Sequence, residues 1–201
     1  DTDVGKTWFM LRLAELLKEH KFKFHFLKPV ESGCEEPNND IIPKDATKFS
    51  KLEGTSLTSI CKFMFKAYAS PPRAAKLENK NIELNEILDF INEKKIEDNN
   101  CFNLIEGCGG FFSPIANNKL TSDMAIKLNL PVILVVNNTL GCINHTLLTI
   151  KAIENLSLSI KFIILNDLSK NIPLGNFNLF RSVTIYISCQ RHSYCISDSI
   201  K

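Results

Sequence analysis

The apolar positions Met10, Leu13, Ala14 and Leu17 recur at i, i+3, i+4 and i+7, the spacing that keeps one stripe of an α-helix apolar. The pattern predicts a helix opening at Gly5-Lys6-Thr7. Phe22, Phe24 and Phe26 then alternate with Lys21, Lys23 and His25, a period of two that predicts a strand ending near Lys28-Pro29. Helical spacing returns at Leu84, Ile87, Leu88 and Ile91, and short apolar runs follow at Phe102 to Ile105, Pro131 to Val136 and Phe162 to Leu165. Apolar strands alternating with helices predict a mostly parallel sheet with helices on both faces, because strands buried on both faces carry apolar residues continuously. The expected fold class is α/β. No internal repeat or low-complexity linker breaks the pattern, and Pro37 to Pro43 reads as an exposed polar loop.

In open sheets of this kind ligands sit beyond the carboxyl ends of the strands, so the residues just after each apolar run matter most. They are Lys28, Glu106, the stretch Asn137 to Asn144, and Asn166-Asp167.

Length and charge narrow the partners. A chain of 201 residues suits one domain with a sizeable core. The net charge is +2, and the longest apolar run, Leu130 to Val136, falls far short of the ~20 residues that cross a bilayer. Neither nucleic acid nor a membrane is expected as a partner. The seven cysteines show no C-x-x-C pairing, and His20, His25, His145 and His192 lack ligand spacing, so no zinc site or disulfide framework is expected. Reduced thiols and a cytoplasmic location are expected. Trp8 reads as a helix-packing residue.

Asp1-Thr2-Asp3-Val4-Gly5-Lys6-Thr7 ends in the Gly-Lys-Thr of a phosphate-binding loop, where backbone N–H groups at a helix N-terminus point at phosphate oxygens. Gly5 permits close backbone approach, Lys6 neutralises the outer phosphates, and the Thr7 hydroxyl is placed to coordinate magnesium. Magnesium takes about six oxygens and usually only one or two carboxylates. Asp45 and Glu106 are the candidates, Glu106 because it ends an apolar run and precedes the flexible turn Gly107-Cys108-Gly109-Gly110.

Four ordered motifs, Asp1 to Thr7, Lys28-Pro29-Val30-Glu31-Ser32-Gly33, Glu106-Gly107-Cys108-Gly109-Gly110-Phe111-Phe112-Ser113-Pro114 and Leu140-Gly141-Cys142-Ile143-Asn144-His145, resemble those of the dethiobiotin synthetases. Lys44-Asp45-Ala46, Ala69-Ser70-Pro71, Leu130 to Val136 and Leu165-Asn166-Asp167 add shorter matches. The resemblance implies a phosphate-loop NTPase-like fold, here a single ligase domain. It also implies an ATP- and magnesium-dependent reaction in which 7,8-diaminononanoate and carbon dioxide (or bicarbonate) become a cyclic urea, through a carbamate and a carbamic–phosphoric anhydride, with release of ADP and phosphate.

Carried to matching positions, the resemblance implies catalytic roles for Lys6 and Lys28. Thr2, Asp3, Ser32, Gly141, Cys142, Ile143 and Asn144 are implied to contact the diamine substrate. Asp3, Val4, Gly5, Lys6, Thr7, Glu106, Gly109 and Asn166 are implied for ATP, Asn166 reading the adenine edge, and Thr7, Asp45 and Glu106 for magnesium. Asp3 stands where the family often has glutamate, which keeps the carboxylate and shortens its reach by one methylene. In the family the patch from Leu140 to His145 reaches across a homodimer, so a homodimer is implied too.

The sequence begins inside the phosphate loop, so an incomplete N-terminus is expected for these 201 residues, with a strand ending in glycine upstream. Beyond Asp167 the resemblance fades and residues 168–201 read as a divergent tail: Asn171-Ile172-Pro173-Leu174-Gly175 matches the family's loop only loosely, and Phe180 to Lys201 carries no family signal. Val183, Ile185 and Ile187 are spaced as a strand. Two other readings stay open. One is a related phosphate-loop ATPase or amidoligase, of the partitioning or cobyrinate type; the other is a non-catalytic binding or dimerisation module decayed from the ligase.

Overall fold

A computed structural model describes residues 1–37 and 40–167, and the backbone of 187–189 and 192–194. The described residues divide into two compact units, one formed by Thr2 and residues 6–127, the other by Asp1, residues 3–5 and the described residues from Leu128 onward.

The larger unit runs α1 (Lys6–Glu19), β1 (Lys23–Leu27), β2 (Val30–Ser32), α2 (Lys44–Glu53), α3 (Leu57–Ile60), β3 (Phe63–Phe65), α4 (Pro71–Leu77), α5 (Leu84–Lys94), β4 (Cys101–Ile105), β5 (Pro114–Ala116), β6 (Lys119–Leu120) and α6 (Thr121–Leu128). The second unit contains β7 (Val132–Asn137), α7 (Cys142–Asn155), β8 (Ile160–Asn166), β9 (Ile187–Cys189) and β10 (His192–Tyr194). Strands β1 and β4, β2 and β3, and β7 and β8 pair in parallel, whereas β5–β6 and β9–β10 are antiparallel. The α/β class and its parallel pairing agree with the sequence pattern. Among the described residues the parallel strands form two-stranded ladders.

Helices α1, α2 and α3 pack on β1. Met10 and Ala14 of α1, Phe26 of β1, and Ala46 and Phe49 of α2 join Ile60 and Cys61 in one buried cluster. Phe26 and Phe49 stack with centroids 4.3 Å apart, so the strand that leads into Lys28 and the helix that carries Asp45 share one rigid contact. The predicted first helix is present with Met10 and Ala14 buried.

Strand β1 departs from simple alternation, because His25 is buried along with Phe26 and Leu27. Its Nδ1 lies 2.5 Å from Glu53 Oε1, while Glu53 Oε2 accepts the Phe26 N–H at 2.9 Å. The imidazole is tolerated inside because the last residue of α2 meets it. The loop expected from Pro37 to Pro43 is exposed at Pro37 but ends inward: Pro43 is buried, and Glu35 bridges to Ile42. Of the predicted tail strand, Ile187 opens β9, and Val183, Ile185 and the segment 171–175 lie outside the described residues.

Candidate active site

The register of β1 with β4 builds the site. Leu27 pairs with Ile105, and Glu106 N–H donates to Leu27 O at 2.8 Å, so Lys28 and Glu106 emerge side by side at the carboxyl end of a parallel pair. Lys28 Nζ donates to Glu106 Oε1 at 2.6 Å, and both residues are 4% exposed. Asp45, in the first turn of α2, brings Oδ2 to 3.9 Å from Lys28 Nζ. Thr7, in the first turn of α1, donates its hydroxyl to Glu106 Oε1 at 3.1 Å. Four residues spread over 100 positions of sequence therefore meet: Thr7, Lys28, Asp45 and Glu106.

Burial alone would lower the pKa of Lys28, but the charge of Glu106, with Cys108, the Glu106 hydrogen bond and Glu31 adding to it, holds it above the usual lysine value. Burial would raise that of Asp45, yet Lys28 and then Lys48, with the Thr7 hydroxyl, bring it below the usual carboxylate range. Lys48 Nζ sits 3.0 Å from Asp45 Oδ1. Both charged groups are thus held in their ionised forms.

The donor set tests whether magnesium suits this place. Glu106 Oε2 is buried and meets no hydrogen-bond partner, an orphaned charged oxygen that is costly unless a cation or donor reaches it. Thr7, Asp45 and Glu106 offer hard oxygens, one hydroxyl and two carboxylates, which is what a magnesium ion carried on a phosphate requires. No group of three or more His, Cys, Asp or Glu side chains forms a cage among the described residues, and a nucleotide-borne ion needs none. The residues fit the ion.

The remaining candidates are placed as follows. Thr2 and Asp3 are exposed, and Asp3 has φ 56°, a left-handed conformation that Asp tolerates better than most residues. Lys6, half-buried, opens α1, and Ser32 ends β2 half-buried. Gly109 has φ +73°, and a Cβ there would lie 2.6 Å from Ser113 Oγ, a hydroxyl that accepts Gly110 N–H at 2.8 Å. Only glycine fits so tight a turn.

In the second unit Asn166 is buried and its Nδ2 donates to Val4 O at 3.0 Å, tying the end of β8 to a loop carbonyl. Asn137 and Asn166 are register partners, and Asn138, fully buried, donates Nδ2 to Asp167 Oδ1 at 2.7 Å. Gly141, with φ 90°, precedes α7, which no side chain caps. Cys142 N–H is already spent on Thr139 O at 3.1 Å and its side chain is buried, so Ile143 and Asn144 are the residues whose first-turn N–H groups leave the helix end.

Glu31, Lys48 and Cys108 also belong to this surrounding, and no sequence pattern marks them for it. Glu31 stood within a recognised motif, but its partners are backbone groups that no side-chain pattern reveals.

A family model described as an AAA domain matches residues 1–188. The chain is 37% identical over 177 residues to the ATP-dependent dethiobiotin synthetase BioD of Vesicomyosocius okutanii subsp. Calyptogena okutanii, covering 87% of this chain and 78% of that protein. It is 39% identical over 171 residues to the protein of the same name from Bacillus subtilis subsp. natto, covering 84% and 72% of the two chains. Against that of Clostridium botulinum strain Alaska E43 the identity is 32% over 212 aligned residues, covering 100% of this chain and 92% of the other.

Proposed function

The chain belongs to the ATP-dependent dethiobiotin synthetases, and from that premise we propose that Thr7, Lys28, Asp45 and Glu106 are where its ligase chemistry takes place. The enzyme uses ATP to join carbon dioxide to 7,8-diaminononanoate and closes the ureido ring of dethiobiotin. One substrate amine adds to carbon dioxide and loses a proton, giving a carbamate. A carbamate oxygen attacks the γ-phosphorus and ADP leaves. The neighbouring amine then attacks the carbonyl carbon of the mixed anhydride, the C–O bond to phosphate breaks, and the new ring nitrogen gives up its proton as phosphate departs.

The physical difficulty is crowding anions: a carbamate must approach a triphosphate. Catalysis of such a transfer rests on positioning and on preorganised positive charge. Lys28, pinned by Glu106 and held ionised, faces the carbamate and transferring phosphoryl group, and Lys6 at the start of α1 neutralises the outer phosphates. Thr7, Asp45 and Glu106 would hold magnesium, which supplies charge neutralisation on the phosphates when bound. The field of the two lysines also disfavours the ammonium form of the substrate, keeping the amine able to attack.

Thr2, Asp3 and Ser32 contact the diamine and carbamate, and Val4, Gly5 and Gly109 give the nucleotide close backbone approach. Asn166 spends one Nδ2 hydrogen on Val4, and its Oδ1 and second N–H meet the adenine edge. The N–H groups of Ile143 and Asn144, with Gly141 and Cys142 shaping the turn, receive the substrate carboxylate. The protein acts as a homodimer, a reading supported by exposed Leu140, at 93%, and by exposed Leu147 and Leu148 on α7. Cys34, Cys61, Cys101, Cys108 and Cys142 are free thiols, which supports a reducing, cytoplasmic place of work; among the described residues no helix is long and apolar enough to cross a membrane.

The observation that carries the reading is the buried, unpartnered Glu106 Oε2 beside Thr7, Asp45 and a charged lysine. Phosphate release with ATP, magnesium and bicarbonate, with and without 7,8-diaminononanoate, tests it. Release that requires the diamine is expected; release indifferent to the diamine would indicate a generic ATPase, and none at all a non-catalytic module.

A further inference from the structure

Glu31 lies on β2, three residues after Lys28, and is 6% exposed. A buried carboxylate so placed is expensive unless its oxygens are satisfied. Its Oε1 accepts the Asp45 N–H and its Oε2 the Ala46 N–H, each at 2.9 Å. These are two of the amides at the start of α2 that no intrahelical carbonyl can reach. The residue before that helix is Pro43, in an extended conformation and with no side-chain cap. The cap of α2 is therefore delivered from another strand, 14 residues earlier in sequence.

That placement has a chemical consequence. Asp45 is the second residue of α2, so the carboxylate of Glu31 grips the backbone of the residue whose own carboxylate faces Lys28 and Thr7. Two hydrogen bonds to consecutive amides, made by one planar group, fix both the position and the orientation of the first turn. At its other end β2 follows Lys28-Pro29 directly, and Lys28 N–H is anchored on Ile60 O at 2.9 Å. The cation and the metal-side carboxylate are thus referred to the same strand.

We propose that Glu31 is a positioning residue of the reaction, holding the Asp45 carboxylate in its place for a divalent cation by capping α2 through both of its oxygens. The inference rests on the proposed function, and it assigns Glu31 no contact with substrate. Outer groups that orient a metal ligand typically change metal affinity about 10- to 100-fold when removed.

The test uses Mn²⁺ as a probe cation, its binding in the presence of ADP followed by the loss of the free-ion paramagnetic resonance signal, in wild type, Glu31→Gln, Glu31→Ala and Glu31→Ala/Pro43→Ser. Serine at position 43 restores a local oxygen for the first-turn N–H groups without restoring charge at position 31. Amide hydrogen exchange at Asp45 and Ala46 reports the cap itself. The expected result is a Mn²⁺ affinity lowered about 10-fold or more in Glu31→Ala, a smaller loss in Glu31→Gln, faster exchange at both amides, and recovery of affinity and protection together in the double variant. ADP affinity without metal should stay at the wild-type value. Unchanged Mn²⁺ affinity in a folded Glu31→Ala protein, or restored protection without restored affinity, overturns the proposal. If Glu31→Ala does not fold, Glu31→Gln with wild-type affinity despite faster exchange overturns it equally. Wild-type protein that binds no Mn²⁺ with ADP would instead contradict the proposed function.

Discussion

Lys28 and Glu106 stand one step beyond the paired residues Leu27 and Ile105, and their side chains close a 2.6 Å hydrogen bond inside the protein. Removing one partner of a buried pair leaves the other charge uncompensated, a loss of about 3–5 kcal/mol. Lys28→Met should show that destabilisation in denaturant unfolding and should abolish diamine-dependent phosphate release. The double variant Lys28→Met/Glu106→Leu should recover much of the stability and none of the activity. Additive stability losses would mean that the pair is not coupled.

The pH dependence of that pair has a definite sign. Burial would lower the pKa of Lys28, but Glu106 and its neighbours raise it above the usual lysine value of 10.5. A cation whose pKa is higher in the folded than in the unfolded state contributes stability that is complete below the unfolded value and fades as pH rises through the folded one. The melting-temperature difference between wild type and Lys28→Met should therefore stay constant through neutral and mildly alkaline pH and shrink only above about 10.5. A difference that collapses between pH 7 and 9 would show Lys28 losing its proton early.

Lys6→Ala should slow turnover on the order of 10²–10³-fold, the usual consequence of losing one key electrostatic stabiliser. Steady-state phosphate release at saturating ATP measures it. A rate equal to wild type would remove Lys6 from the transfer step.

Phe49→Ala should cost about 3–5 kcal/mol, because it empties one side of the Phe26–Phe49 stack. Since Phe49 lies on the helix that bears Asp45, the apparent magnesium requirement should rise as well. Chemical denaturation and a magnesium titration of activity read the two effects separately.

How much of this was legible in the sequence depends on what each residue touches. Lys28, Glu106 and Asn166 are legible because each ends an apolar run, and residues at the carboxyl ends of parallel strands line the ligand crevice. Helix α2 was not called out by its apolar spacing: Ala46 and Phe49 are its buried residues, in a stretch otherwise rich in lysine and acidic side chains, so its period is faint. Asp45 is marked instead by being a carboxylate suited to magnesium and by the short match Lys44-Asp45-Ala46. Strands β2 and β3 have three residues each, too few for a period to register. The burial of His25 was masked by the regular alternation of Phe22, Phe24 and Phe26, since its partner Glu53 lies 28 residues away. Glu31 escaped for a similar reason, its bonds running to backbone N–H groups that every residue carries.

The most direct test of the central claim is the anomalous diffraction signal of Mn²⁺ in crystals grown with a non-hydrolysable ATP analogue. The account predicts one ion between the outer phosphates and the protein, at about 2.1 Å from phosphate oxygens and from Thr7 Oγ1, with the Asp45 and Glu106 carboxylates bound to it directly or through its waters. An ion held by the nucleotide but remote from Asp45 and Glu106 would contradict it.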